Sequence, residues 1–173
     1  GLYNNTAETE RLLTENYERY YRLAFKLMRN QDDALDVVQE SAYRAIKDCK
    51  GVRNKDYLST WIYRIAYNTA ISSVRKKRYE FLAIEETTLE NVSEEEVTNL
   101  FGQTESTEQV QRLEVALEQL LPDERALILL FYWKEKTIEE LVSITGLTAS
   151  NIKVKLHRIR KKLFVLLKGM DHE

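Results

Sequence analysis

A single proline, Pro122, and five glycines are the only strong backbone punctuation in 173 residues. Sandwiches and barrels need a turn roughly every 8–12 residues, and those turns draw on glycine and proline. That scarcity argues against them and for a mostly helical, all-α chain. Hydrophobic residues make up 43% and charged residues 31%, enough for a core beneath an unusually polar surface. Cys49 is the only cysteine, so no disulfide framework exists, and two histidines are too few for an ordinary structural zinc site. No apolar run approaches the ~20 residues of a membrane span, and no secretory leader is visible. A reducing, cytoplasmic setting without membrane insertion is expected, and no cofactor is implied.

Apolar periodicity divides the chain into two helical modules. Leu13, Tyr17, Tyr20, Ala24 and Leu27 recur at steps of four, three, four and three, making one face of a helix. Asn30 can cap the next helix, with Asp32 and Asp33 near its positive end and Leu35, Val38, Ala42 and Ile46 as the expected inward stripe. Cys49 to Asp56 reads as a loop. A third helix is expected from about Leu58 to Lys77, burying Leu58, Ile62, Ile65 and Thr69. From Tyr79 to Gln111 the periodicity fades into a mobile or loosely helical connector. Periodicity resumes with Val110, Leu113, Leu117 and Leu120. Pro122 suits the first turn of the following helix. Thr137-Ile138-Glu139-Glu140 is a capping box for a short helix, Gly146 fits the turn after it, and Thr148 can cap a last helix reaching about Leu167. A short helix, a glycine turn and a longer basic helix read as a helix-turn-helix.

Charge follows the same division. Residues 1–78 carry 15 Lys/Arg against 10 Asp/Glu, residues 79–111 carry nine acids and no base, and residues 112–173 carry 11 against nine. Seven Lys/Arg fall between Lys153 and Lys168, and the first part ends on Arg75-Lys76-Lys77-Arg78. Two basic segments around an acidic spacer suit a polyanion held at two places, although solvated helix faces carry the same pattern.

On the last helix, Ile152, Leu156, Ile159 and Leu163 turn inward. Ser150, Asn151, Lys153 and Lys155 near its start are placed to reach base edges in a major groove. Arg158, Lys161 and Lys162 are better placed for phosphates. His157, alone among basic residues, suits a phosphate or water rather than catalysis or a metal. The third helix presents Trp61, Arg64, Asn68, Ser72 and Arg75 outward, with Tyr57, Tyr63 and Tyr67 as further aromatics. Cations interleaved with rings suit unstacked bases, charge holding the backbone and flat faces stacking. Trp61 is equally suited to filling a core. Arg53, Asn54 and Lys55 in the preceding loop add groups able to grip an extruded base. The second helix displays Asp32, Asp33, Asp36, Gln39, Glu40 and Tyr43. This is a polar docking face or simply a solvated one, and composition does not separate the two.

These motifs together resemble the extracytoplasmic-function group of bacterial RNA polymerase sigma factors, in the sigma-70 family. Asp33-Ala34-Leu35-Asp36-Val37-Val38-Gln39-Glu40 is similar to the A-E-D-L-V-Q-E signature of sigma region 2. The stretch Thr60-Trp61-Ile62-Tyr63-Arg64-Ile65-Ala66-Tyr67-Asn68-Thr69-Ala70-Ile71 is similar to its W-L-x-x-I-A-x-N-x-x-I segment. Leu121-Pro122, Thr137 to Leu141 and Ile152 to Arg158 resemble region 4. Ser72 departs from the family's usual Asp, Leu141-Val142 from its common Ile-Ala pair, and Lys155 from a frequent Ser.

The resemblance implies a region 2-like module over 8–78, an acidic linker over 79–108 and a region 4-like helix-turn-helix over 109–169. It implies no catalysis, with core RNA polymerase, promoter DNA and an anti-sigma factor as partners. Asp36, Gln39 and Glu40 match positions that dock on the polymerase clamp. Arg53, Asn54, Lys55, Trp61, Arg64, Asn68 and Arg75 match the part that reads and opens the −10 element. Ser150, Asn151, Lys153, Lys155, Arg158 and Lys162 fall in the helix that reads the −35 element.

Two other classes compete. A dimeric helix-turn-helix repressor leaves the aromatic–basic face and the Asp36–Glu40 surface unexplained. A carboxylate enzyme using Asp32, Asp33, Asp36 and Glu40 on Mg²⁺ finds no matching acids on a second helix.

Overall fold

A computed structural model describes residues 5–75, 86–102 and 107–171, and all the regular structure in them is helical. The first module contains α1 (Asn5–Glu15), α2 (Tyr17–Met28), α3 (Gln31–Asp48) and α4 (Leu58–Arg75). The expected Leu13–Leu27 helix is thus two helices. They part at Asn16, whose side-chain amide donates to the Leu12 carbonyl at 2.9 Å and competes with the backbone there. Tyr20, Ala24 and Leu27 are buried as expected, whereas Tyr17, beyond the break, is 46% exposed.

Asn30 caps α3 as anticipated, its Oδ1 accepting from the Asp33 amide at 3.0 Å. The inward stripe of α3 is rotated from the expected one. Ala34, Val37, Val38, Ser41 and Ala45 are buried, while Ile46 is 40% exposed. Ser41 can sit inside because its hydroxyl donates to the Val37 carbonyl at 2.6 Å, removing the penalty for burying it. Along α4, Leu58, Ile62 and Thr69 face inward as expected, with Ile65 half-buried. Lys76 and Lys77, assigned to the same helix, lie outside the described residues, as does Arg78.

The connector is more ordered than its composition implies. Within it, α5 (Glu86–Glu90) and α6 (Glu94–Gly102) both pack on the last helix, burying Leu89, Val92 and Val97. Ser93 and Glu96 form a capping box that starts α6, with reciprocal bonds of 3.0 and 3.1 Å. Residues 79–85 and 103–106 of the expected linker lie outside the described residues.

The second module contains α7 (Thr107–Glu118), α8 (Pro122–Ile128), α9 (Ile138–Thr145) and α10 (Ala149–Met170), with α8 continuing as a π-helical turn over Leu129–Trp133. Val110, expected on the inward face of α7, is 42% exposed; Leu120, just beyond the helix, is buried as expected, and Ala116 is buried with it. Thr137 and Glu140 exchange the two capping-box bonds, both 3.1 Å. Gly146 ends α9 at φ 79°, a conformation that costs glycine nothing. Thr148 then caps α10 through a 3.1 Å bond from the Asn151 amide. Ile152, Leu156, Ile159 and Leu163 are buried, as their spacing requires.

The buried side chains of the two modules form one continuous cluster. Helix α4 packs along α9 and touches α8, while α2 also reaches α8. Around this contact Lys26 pairs with Glu114 at 3.4 Å and Arg29 with Glu118. The Lys136 ammonium sits 4.1 Å from the centre of the Tyr63 ring.

Candidate nucleic-acid and polymerase interface

The loop between α3 and α4 is held from the other side of the module. Asn5, at the start of α1, donates its side-chain amide to the Cys49 and Val52 carbonyls at 2.7 and 2.6 Å. So anchored, the loop and the first turns of α4 enclose an open cavity of about 510 Å³. Arg53, Trp61 and Asn68 all line it, joined by Tyr57 and Ile65. Three expected DNA-contacting residues therefore converge, with an aromatic wall beside two polar groups. Such a cavity can take a flat unstacked ring, because stacking needs a face and selection needs hydrogen-bonding groups at the ring's edge. Sequence reasoning missed Arg44 and Asp48, which approach the same cavity from the last turns of α3. Their helical spacing of four was legible, but not where that face would lead.

The other expected −10 residues are disposed differently. Asn54 is engaged locally, its Oδ1 accepting from the Asp56 amide at 2.9 Å to start a short 3₁₀ turn. Lys55 is exposed on that turn. Arg64 reaches across the module boundary and donates to the Ser143 carbonyl of α9 at 3.1 Å. Arg75 lies at the far end of α4 and lines a second groove. Tyr63, counted among the accessible aromatics, is instead buried edge-on against Tyr20, with ring centres 5.2 Å apart. Burial raises the pKa of its hydroxyl, as it does for Tyr67.

The second groove, about 440 Å³, runs between the modules. Tyr67, Asn68, Ser72 and Arg75 of α4 face Lys155, Arg158 and Lys162 of α10 across it. The outward faces of the two basic helices are thus turned toward each other. Lys162 bonds to Glu124 at 2.6 Å and is largely covered. On the opposite flank of α10, His157 Nδ1 lies 3.1 Å from a Glu94 carboxylate oxygen of α6. Ser150, Asn151 and Lys153, at the start of α10, remain exposed.

On α3, Asp36, Gln39 and Glu40 are exposed on one face, and Glu40 pairs with Arg44 at 2.8 Å. Among the described residues, no three His, Cys, Asp or Glu side chains converge in a way that could hold a metal ion. No helix among them is long and apolar enough to cross a membrane.

Two helical modules, one with a helix-turn-helix and one with an aromatic–basic cavity, are the architecture of a protein that binds DNA. Residues 12–79 match the Sigma-70 region 2 family and residues 110–163 match Sigma-70 region 4. The chain is 31% identical over 159 residues to RNA polymerase sigma factor SigV of Bacillus subtilis, covering 92% of this chain and 90% of that one. It is 28% identical to the ECF RNA polymerase sigma factor SigW of the same organism, covering 84% and 81%. Its fold is similar to that of the sigma factor RpoE from Bartonella quintana, solved in complex with the anti-sigma factor NepR. The TM-score is 0.68 at 23% identity, covering 93% of this chain and 97% of that one. The chain belongs to the sigma-70 family of RNA polymerase sigma factors, in its extracytoplasmic-function group. It is a non-catalytic specificity subunit that binds core RNA polymerase and directs it to promoters.

Proposed function

We propose that this chain divides promoter recognition between residues 8–78 and 109–169, with 79–108 as the connector. The observation that carries this reading is the cavity where Arg53, Trp61 and Asn68 meet, on a different module from the basic helix α10. Trp61 and Tyr57 offer stacking faces to a base extruded from the −10 element, and Arg53 and Asn68 offer polar contacts at its edge. Lys55, Arg64 and Arg75 supply cations for the flanking phosphates, and Asn54 shapes the loop. In the −35 element, Ser150, Asn151, Lys153 and Lys155 read the major groove, while Arg158 and Lys162 hold phosphates. The exposed Asp36, Gln39 and Glu40 dock on core polymerase.

A major groove about 12 Å wide receives a helix only when its outer face is clear. Here Lys155, Arg158 and Lys162 of that face line the inter-module groove, while Ser150, Asn151 and Lys153 stay exposed. Promoter engagement therefore follows separation of the modules, and an anti-sigma protein that binds the closed arrangement would hold the chain inactive. The chain acts in the cytoplasm, where its polymerase is.

The test is co-elution of the purified chain with core RNA polymerase, with and without the paired substitutions Gln39→Ala and Glu40→Ala. A stable complex weakened by the pair supports the docking face. Equal binding by both proteins removes α3 from that role.

A further inference from the structure

The groove between the modules, about 440 Å³, is lined by more cations than acids. Lys162 and Glu124 pair at 2.6 Å and cancel. That leaves Arg75 of α4 facing Lys155 and Arg158 of α10, with Asp123 of α8 as the one remaining acid among the described lining residues. Arg75, Asp123 and Lys155 have no hydrogen bond or ion pair among the described residues. Lys155 is half-buried, and a cation partly withdrawn from water without a counter-charge is costly. Tyr67 stands close to both signs of charge. Burial raises its hydroxyl pKa, Asp123 raises it further and Arg75 lowers it.

An anion held between α4 and α10 removes that cost on both walls at once. Arginine takes phosphate oxygens with its fork of N–H groups and lysine takes them as a point charge. Three cations are enough for two phosphate groups. Asp123 only accepts when ionised, so it needs a donor, which phosphate oxygens lack and a hydroxyl or amino group supplies. Tyr67 adds an aromatic surface beside these charges. The volume sits toward the lower end of the ~300–1,000 Å³ range of small-molecule sites, room for one nucleotide but not for an oligonucleotide.

We propose that the inter-module groove binds a nucleoside diphosphate, its phosphates between Arg75, Lys155 and Arg158 and its sugar hydroxyls or base amino group on Asp123. Only the closed arrangement offers both walls, so the bound nucleotide favours it over the separated one by its differential affinity. Lys155 and Arg158 are then occupied, and the nucleotide holds the chain away from promoter DNA. This rests on the closed arrangement read above, so the experiment separates the two.

The full chain is titrated by calorimetry at low salt with ADP, GDP, CDP and UDP, and with inorganic pyrophosphate in parallel. At least one diphosphate should bind, and pyrophosphate should bind roughly tenfold more weakly or worse, the scale of one hydrogen bond to a charged group. Arg75→Met and Lys155→Met, one on each wall, keep the apolar stems and remove the charges. Each should weaken the nucleotide roughly tenfold or more. Lys47→Met, which removes the same charge from an exposed position on α3 outside the groove, should leave it unchanged. Unaltered melting temperatures without nucleotide verify the three folds. Equal affinity for pyrophosphate, loss in only one of the two wall variants, or equal loss in Lys47→Met overturns the proposal. If no diphosphate binds, small-angle scattering of the free chain decides how much falls. A radius of gyration of about 16 Å, that of a compact chain of this length, means that only the nucleotide site is lost. A clearly larger radius means that the closed arrangement falls with it.

Discussion

Arg125 of α8 donates from Nη1 to the Leu27 carbonyl at 2.9 Å, joining two residues 98 positions apart at the boundary between the modules. The same guanidinium reaches Leu117, Glu118 and Leu120 carbonyls at 2.9, 2.8 and 3.2 Å. It thereby satisfies free carbonyls at the end of α2 and at the end of α7, both ends where a cation is favoured. The residue is only 5% exposed, and its charge is tolerated because carbonyl dipoles surround it.

Arg125→Ala should therefore leave several buried carbonyls unpaired. Loss of hydrogen bonds to a buried charged group predicts destabilisation of about 3 kcal/mol, visible in denaturant unfolding. Because one of those bonds crosses between modules, small-angle scattering should also show a larger radius of gyration. A variant as stable and as compact as the parent protein would rule out this role.

Gly146 tests the turn of the helix-turn-helix by conformation alone. A Cβ built there meets nothing within 4 Å, so any cost of substitution arises from φ 79° rather than from a clash. Gly146→Ala should cost about 1–2 kcal/mol, and Gly146→Asn less, because asparagine tolerates the left-handed region better. Thermal unfolding of the two variants gives the ordering, and equal loss in both would contradict it.

Trp61 separates strand capture from duplex binding. In the assembled holoenzyme, Trp61→Ala should weaken binding of the opened −10 strand by about 1–3 kcal/mol, the value of one base–aromatic stack. Binding to a −35 duplex should be unchanged, and Trp61→Tyr should restore most of the strand affinity. Fluorescence anisotropy with the two DNAs reads both effects.

Lys155 and Arg158 on α10 distinguish base reading from phosphate holding. Arg158→Ala should weaken all duplexes similarly and reduce the salt dependence of binding by about one ion. Lys155→Ala should relax preference at particular −35 positions, at about 1–3 kcal/mol per base lost. Titrations at several salt concentrations, with matched and mismatched −35 sequences, separate these two behaviours.

Local signals were legible because their causes are local. The Asn30 cap, the Thr137–Glu140 box, the Gly146 turn and the Thr148 cap each involve groups within a few residues of each other. The apolar spacing of α10 placed Ile152 to Leu163 inward correctly, since those side chains have no way to be buried except on one stripe. The α3 stripe was misread because its inward face uses Ala34 and Ser41. A small residue and a hydroxyl carry little hydropathy, and only the 2.6 Å bond to Val37 explains the serine's place. The break at Asn16 was hidden for a similar reason: the apolar period continues through a residue whose own side chain interrupts the helix.

By itself the sequence determined two helical modules, the acidic connector between them and the family to which the chain belongs. Each of those follows from residue type and spacing along one stretch of chain. Only the tertiary structure decided that Asp48 and Arg44 join Arg53, Trp61 and Asn68 at one cavity, and that Tyr63 is buried away from it. It alone turned the α4 and α10 faces toward each other and placed Arg125 on the Leu27 carbonyl. Those relationships depend on backbone carbonyls, which every residue has, and on helix rotation, which a shift of one position along the chain turns by about 100°. Neither is written in the identity of a residue, so both emerge only when the helices pack.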